Sequence, residues 1–501
     1  MRTTSSAPSA RWRVWCWPEA RAHRASARQE VAPPGCPAGG QARREAPMIY
    51  LIAAIAGLAG ALFGFDEGVI AGALAPLRRD LGIDPVAEGM MTAAVPFGAF
   101  IGAIVGGRLA AAAGRRKLLL WSAILFIGGA LLSALAGGLI TLTLARLVIG
   151  LAVGVAAMMA PLYISESAPA KERGMLVSIY QLAITLGILG AYVVGYAFDE
   201  NWRWMFAMGA VPAVMLFGGI FALSDTPRWL AMRGRSAEAK AALARMRERP
   251  ESDPAVAAEY EEIRAAAAAD EGRKATFADL LSPRVRPALI VAMGLFLLQQ
   301  LSGINAVIYY APTVFELSGF SSTTTQILAT AGIGMVNVLM TVVGMMLIDR
   351  LGRRLLLLIG FAGTAVSLGA IAIAAATGSP SLGVLALGGL VLYIASFAIA
   401  IGPLPWVMMS EVFPLDCRAL GMSIASLVNW GFNFIVVFSF PVLVAEFGLA
   451  GVFGLYAVVC VAGLAFTQWL VPETNGVSLE EIERHLRSGR PLRELGRLHA
   501  A

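Results

Sequence analysis

The chain has 501 residues, of which 58% are hydrophobic and 14% charged, where soluble domains carry about 25% charged residues. That balance excludes a soluble domain with a single anchor, because apolar windows of 19 or more residues recur about twelve times and each is long enough to cross a bilayer. The formal charge of +6 does not point to nucleic acid, since the Lys and Arg sit in short clusters between apolar runs, and Cys16, Cys36, Cys417 and Cys460 lack disulfide or metal-type spacing.

Residues 1–47 are rich in Arg, Ala and Pro, carry Trp12, Trp15 and Trp17, and contain no apolar run long enough for a secretory signal. They read as disordered. Met48 opens the first membrane segment directly, so translation starting there is the favoured reading and a disordered cytoplasmic tail is the alternative. The first span, 49–74, includes Gly64-Phe65-Asp66-Glu67-Gly68, and further spans are predicted at 89–110, 118–137, 139–162, 175–198 and 204–223. Together they make a first unit over 48–223. Residues 224–287 then switch to a charged, Ala-rich helical pattern broken by Pro250 and Pro254, which reads as a cytoplasmic linker.

The next span carries no charge from Pro287 to Phe315, yet its centre reads Gln299-Gln300-Leu301-Ser302-Gly303-Ile304-Asn305, followed by Tyr309 and Tyr310. Amides are costly to leave unpaired in hydrocarbon, so these must face protein or a watery cavity. Each offers a donor and an acceptor side, which suits an uncharged, hydroxyl-rich ligand. Gln300 and Asn305 lie well round a regular helix from each other, and unwinding at Gly303 would bring them together. The plainer reading is amides that glue helices, but four polar side chains in seven residues favour a binding site.

Spans at 288–311, 324–348, 355–376, 383–409, 420–443 and 449–470 form a second unit over 288–470, followed by a charged tail, 471–501. The basic clusters Arg115-Arg116-Lys117, Lys171, Arg173, Arg350, Arg353-Arg354 and Arg418 all fall on one side if every run crosses, while the other side has chiefly Arg78, Arg79 and Arg203. That asymmetry predicts cytoplasmic termini. The units also repeat: Ser165-Glu166, Pro169 and Arg173 recur as Ser410-Glu411, Pro414 and Arg418, and Gly114-Arg115-Arg116 as Gly352-Arg353-Arg354. A duplicated six-helix unit is the arrangement in which two bundles rock about a central site. The predicted class is an all-α membrane protein of twelve transmembrane helices in two pseudo-symmetric six-helix bundles.

These residues are where a family resemblance enters. GFDEGVIAGAL at 64–74, GRR at 114–116, RLVIGLAVG at 146–154, PLYISESAPAKERG at 161–174, DTPRWL at 225–230, QQLSGINAVIYYAP at 299–312, DRLGRR at 349–354, GPLPW at 402–406 and PETNG at 472–476 resemble, in order, the signatures of the sugar porter family of the major facilitator superfamily. The resemblance covers essentially all of 48–486. It implies a sugar site lined by Gln181, Gln299, Gln300, Asn305, Asn337, Trp406 and Asn433, with no cofactor or metal. Trp406 suits that role because an indole stacks on a pyranose face and its N–H donates; the alternative is an interfacial Trp. Ile188, seven residues after Gln181 on the same helical face, would be an apolar wall. Tyr309 and Tyr310 are read as gate residues on the outer side, with aromatic packing as the alternative.

Asp66 sits in an apolar span, as does Arg146, and an ionised side chain at the bilayer centre costs about 3 kcal/mol. They are expected to pair. Counting about 1.5 Å per residue puts both in the outer half of the membrane, at depths compatible with contact. Such a pair can be a proton switch or a static bridge, and the resemblance favours the switch, since its proton-coupled bacterial members have Asp here. Glu67 is a secondary candidate, turned to a neighbouring helix or to water. Arg115, Arg116, Glu166, Arg173, Asp349, Arg350, Arg353, Glu411 and Arg418 read as cytoplasmic salt bridges between the bundles, individually weak but able to bias a switch together. Ala110 to Ala113 stand where the family usually carries an acidic residue, which predicts a weaker latch in the first half.

The leading expectation is a proton-coupled monosaccharide importer, functional as a monomer in the inner (plasma) membrane, whose partners are a sugar, a proton and the lipid bilayer and not nucleic acid. A facilitative sugar or polyol uniporter is the runner-up, and a sugar sensor is disfavoured by the short tail. An enzyme is disfavoured because no nucleophile–base pair, phosphate loop or metal cluster is legible.

Overall fold

The computed structural model describes residues 47–169, 173–198, 201–271, 276–414, 416–477, 479–488 and 490–495. The predicted N-terminal extension, apart from Pro47, and Lys171 lie outside the described residues. The first bundle consists of α1 (Pro47–Leu81), α2 (Pro85–Ala113), α3 (Arg115–Ala134), α4 (Leu139–Ser167), α5 (Arg173–Phe198) and a sixth crossing made of α6 (Trp202–Met208) and α7 (Ala210–Ile220). Four short helices follow, α8 (Pro227–Met232), α9 (Ser236–Arg247), α10 (Pro254–Glu271) and α11 (Phe277–Leu281). The first three share a small core of their own around Trp229, Leu243, Val256 and Tyr260, while Leu280 of α11 packs into the main core.

The second bundle opens with α12 (Arg286–Leu301) and α13 (Ile304–Leu317), which share one crossing, and continues with α14 (Thr323–Leu351) and α15 (Arg353–Ala376). Next, α16 (Leu382–Ser396) runs through a π-helical turn, Phe397–Ile401, into α17 (Leu404–Val412). Last in the bundle is α18 (Arg418–Leu470), and α19 (Leu479–Arg487) lies beyond it. Among the described residues eleven apolar segments are long enough to span, but α18 has 53 residues, about 80 Å at 1.5 Å per residue, more than twice the roughly 30 Å hydrocarbon core. Gly448, at φ 63° and ψ −177°, interrupts it in a conformation only glycine takes easily, and the count becomes twelve crossings. Among the described residues there is no strand.

Small residues set the helix spacing. On α1, Gly60, Gly64, Gly68 and Gly72 recur every fourth position and lie against Tyr180, Ile184, Ile188 and Gly195 of α5. A Cβ on Gly64 would stand 1.9 Å from the Ile184 carbonyl oxygen, so backbone packs directly on backbone, as it does where helices associate without a hydrophobic drive between them. The bundles meet along α2 and α18, α5 and α14, and α1 and α13. The first two seams exchange under the repeat, each pairing the second crossing of one half with the fifth of the other.

Candidate functional site

Asp66 and Arg146 do pair. Arg146 Nη1 stands 3.5 Å from Asp66 Oδ1, with side chains 0% and 2% exposed. Arg146 Nε donates to the Met91 carbonyl on α2 at 3.2 Å, and its guanidinium lies 5.6 Å from the centre of the Phe206 ring on α6. One cation thus touches α1, α2, α4 and α6. The pair is loosely made: Asp66 Oδ2 and both Arg146 Nη atoms have no hydrogen bond within the protein.

The amides gather around the break between α12 and α13. Gly303 takes the left-handed conformation, φ 88°, which costs glycine little. The turn lets Asn305 Nδ2 donate to Gln300 Oε1 at 2.6 Å, and Gln300 Nε2 donates to Asn429 Oδ1 on α18 at 2.6 Å. Gln299 Nε2 donates to the Ile401 and Gly402 carbonyls at 2.7 and 2.9 Å. Gln299 Oε1 and Asn433 Oδ1, both buried, are left without a partner in the protein. Trp406 lies half-buried one turn beyond Gly402, and its ring meets Phe296 edge-on at 4.8 Å. Gln299, Gln300, Asn305, Trp406 and, one turn beyond Asn429, Asn433 therefore converge. Among the described residues no hydrogen bond ties Gln181 or Asn337 to them, and Ile188 is packed against Gly64 and Gly68 of α1.

Three prolines, Pro312 and Pro441 inside their helices and Pro405 in the first turn of α17, explain several of these bonds. A helical proline frees the carbonyl four residues earlier, and something must take it in an apolar bundle. Pro405 frees Ile401, capped by Gln299. Pro312 frees Ile308, whose oxygen accepts from Tyr192 of α5 at 3.0 Å. Pro441 frees Val437, whose oxygen accepts from Tyr310 at 3.1 Å. Tyr309 and Tyr310 are both buried, at a kink in α13; Tyr310 stacks on Phe440 at 4.8 Å, and Tyr309 lies beside Glu67 of α1. Sequence reasoning missed Tyr192 and Asn429. The signal for Asn429 was its place one helical turn before Asn433.

The charged ends differ from expectation. Arg115 pairs with Glu166 at 2.8 Å, while Arg353 reaches Glu411 and Asp349, each at 3.2 Å. These pairs join helices of the same bundle, so the expected bridges between bundles are not what these residues make here. The reason is the side on which the halves meet: cross-bundle ring contacts join Phe63 to Trp430 and Phe97 to Phe434, and Gly89 abuts Phe438, towards the face away from the linker. Arg116 donates to the Ile220 carbonyl, Arg418 to the Phe413 carbonyl, and Arg350 is exposed. The side chain of Arg173 lies outside the described ones. Where the first half lacks its acid, α8 fills in: Trp229 Nε1 and Arg233 Nη2 donate to the Ala111 carbonyl at 3.1 and 2.6 Å.

At the face away from the linker, Arg78 holds Glu88 in a two-pronged bond of 2.5 and 2.7 Å. Arg78 also reaches the second bundle, donating to Thr313 at 3.3 Å and lying 4.0 Å from Glu316.

Two related six-helix bundles, with interrupted helices at their seam and a buried ion pair beside it, define a secondary carrier of the major facilitator type. Comparison with known proteins gives the family. Residues 52–486 match the model for "Sugar (and other) transporter". The galactose-proton symporter of Escherichia coli K12 is 41% identical over 460 residues, covering 91% of this chain and 98% of that one. The arabinose-proton symporter of the same strain is 37% identical over 463 residues, covering 91% and 96%. The xylose transporter XylE from E. coli, in a partially occluded inward open conformation, superposes with a TM-score of 0.75 at 30% identity, covering 86% of this chain and 100% of that one. The chain belongs to the sugar transporter family of the major facilitator superfamily.

Proposed function

We propose that this chain is a proton-coupled importer of monosaccharides, hexose or pentose, that works by alternating access. The observation that carries this reading is the buried Asp66–Arg146 pair with its unbonded oxygen and nitrogens. An ion pair held without hydrogen bonds is one a single proton undoes: once Asp66 is neutral, Arg146 no longer attracts α1, while its bond to Met91 keeps it on α2. Release of α1 from α4 then changes which arrangement of the bundles is favoured.

Sugar hydroxyls are donors as well as acceptors, and the spare oxygens of Gln299 and Asn433 suit them. Gln300, Asn305, Trp406, Gln181, Asn337 and Ile188 complete the proposed lining, with Tyr309 and Tyr310 as the gate. The named relatives carry galactose, arabinose and xylose, which supports a monosaccharide. The chain functions as a monomer in the inner (plasma) membrane, with cytoplasmic termini and the linker face inward.

The test is uptake of a labelled sugar panel by proteoliposomes, with and without an imposed proton gradient, for the wild type and Asp66→Asn. Gradient-driven accumulation that the variant loses, while it still exchanges sugar, is expected. Uptake indifferent to the gradient would make the protein a facilitator instead.

A further inference from the structure

Glu67 is a buried acid, 4% exposed, to which the scheme above gives no task. Successive helical residues diverge by about 100°, so α1 sends Asp66 to Arg146 within its own bundle and Glu67 elsewhere. Phe63, one turn earlier on the same face as Glu67, meets Trp430 of the second bundle at 5.3 Å. Glu67 likewise faces the second bundle, where Tyr309 of α13 is its neighbour.

Among the described residues, the ionisable groups around it are few. Asp66 precedes it on α1 and Arg146 of α4 sits on Asp66; Tyr180 and Tyr192 come from α5 and Tyr309 from α13, with Tyr310 next along. Tyr192 is engaged with Ile308, and the Tyr180 hydroxyl has no partner in the protein. Two carboxyls and one guanidinium carry a net negative charge if both acids are ionised. The cluster is neutral only with one proton on it. Arg146 already compensates Asp66, and an uncompensated buried charge is strongly disfavoured, so the proton belongs with Glu67 while α13 lies against α1.

We propose that Glu67 is a second proton-bearing positioning residue of the transport cycle: buried against α13 with no cation of its own, it lets α13 stay against α1 only while it is protonated. When α13 withdraws, water reaches the carboxyl and the proton is free to leave. Closure of the face away from the linker is then tied to a proton separately from Asp66. The inference rests on the alternating-access reading but not on the identity of the solute.

The test uses the full chain in lipid nanodiscs without sugar, with Cys16 and Cys36 replaced by Ser and spin labels at Val86→Cys and Leu317→Cys. Both positions are exposed and lie on opposite bundles at the face away from the linker. In the wild type the ratio of short to long label distance should fall with rising pH, by up to about tenfold per pH unit, the limit for one linked proton. Glu67→Gln, a permanently neutral stand-in, should keep the short distance at alkaline pH where the wild type has opened. Tyr309→Phe, which keeps the acid and removes the hydroxyl beside its protonated carboxyl, should show less of the short distance at acid pH, and decides the matter if Glu67→Gln does not fold. A wild type indifferent to pH, a Glu67→Gln variant that opens alongside it, or a wild-type curve from Tyr309→Phe would each overturn the proposal. The readout needs no substrate, so failure of sugar uptake would sink the functional reading and leave this one standing.

Discussion

Asp225 and Glu473 do the same work in the two halves of the chain. Asp225 accepts the Arg116 backbone N–H at 2.9 Å, and Glu473 accepts those of Arg353 and Arg354 at 3.0 and 3.1 Å. Each carboxylate caps the third crossing of its own bundle and lies against the glycine before it, Gly114 or Gly352, where a Cβ would stand within 2.7 and 2.6 Å of a carboxylate oxygen. The next residue repeats the symmetry, since Thr226 donates to Glu166 at 2.6 Å and Thr474 donates to Glu411. Losing a helix cap costs about 1 kcal/mol. Asp225→Ala should lower stability by about that much and Glu473→Ala, which frees two N–H groups of α15 and that of Asn475, by about twice as much or more. Thermal unfolding of the purified variants in one detergent measures both, and equal losses would deny the second bond any weight.

The seam between α1 and α5 makes a sharper prediction. A methyl group at Gly64 would meet the Ile184 oxygen at 1.9 Å, and one at Gly187 would meet the Ala61 oxygen at 2.3 Å. Backbone cannot yield as a flexible side chain does, and overpacking costs typically about 1–3 kcal/mol. Gly64→Ala should fall at the upper end and displace Asp66, two residues on, from Arg146. Gly57→Ala, whose nearest neighbour is a side chain at 3.7 Å, should be tolerated. Folded yield after size exclusion separates the two.

How much of this was legible follows from where each group's partner sits. An acid and a base in apolar spans require each other, and helix rise alone put Asp66 and Arg146 at one depth. Gly303 between Gln300 and Asn305 announced its own break. By contrast, Tyr192, Tyr310 and Gln299 cap carbonyls that Pro312, Pro441 and Pro405 set free on other crossings, and no local pattern says which crossings touch. The charge clusters misled for a related reason: their spacing identifies an end of a helix but not whether Arg353 finds Glu411 in its own bundle or an acid in the other.

The missing acid of the first half is a smaller matter than its absence suggests. Asp349, its counterpart, is 77% exposed where it meets Arg353, and exposed pairs contribute only about 0–1 kcal/mol. An acid at the end of α2 also opposes the helix dipole by a similar amount. Ala111→Asp should therefore slow opening at the linker face by less than about fivefold. Arg233→Ala, which removes two bonds to the Ala111 and Ala112 carbonyls, should have the larger effect. Stopped-flow quenching of a fluorophore on the linker helices reads both, and a larger effect from Ala111→Asp would contradict the assignment.

Arg78 offers the strongest single handle on the conformation. Glu88 is 3% exposed in this pair, so removing its cation strands a buried charge, at a cost of about 3–5 kcal/mol. Part of that cost is recovered only if the face opens and water reaches Glu88. A cavity of about 180 Å³ lies beside the pair, lined by Tyr310, Thr313, Phe440 and Pro441 among others, so side-chain packing does not fill this gap. Arg78→Ala should move the population towards an arrangement open at this face, raising the labelling rate of Thr313→Cys by an impermeant maleimide at least about tenfold, since 1.4 kcal/mol of the stranded charge suffices for that. Arg78→Ala combined with Glu88→Gln removes the stranded charge and should fall back towards the wild-type rate. If the double variant labels as fast as the single one, the opening does not come from Glu88, and the latch is the contact of Arg78 with Glu316, since Thr313 is already replaced in every labelled protein.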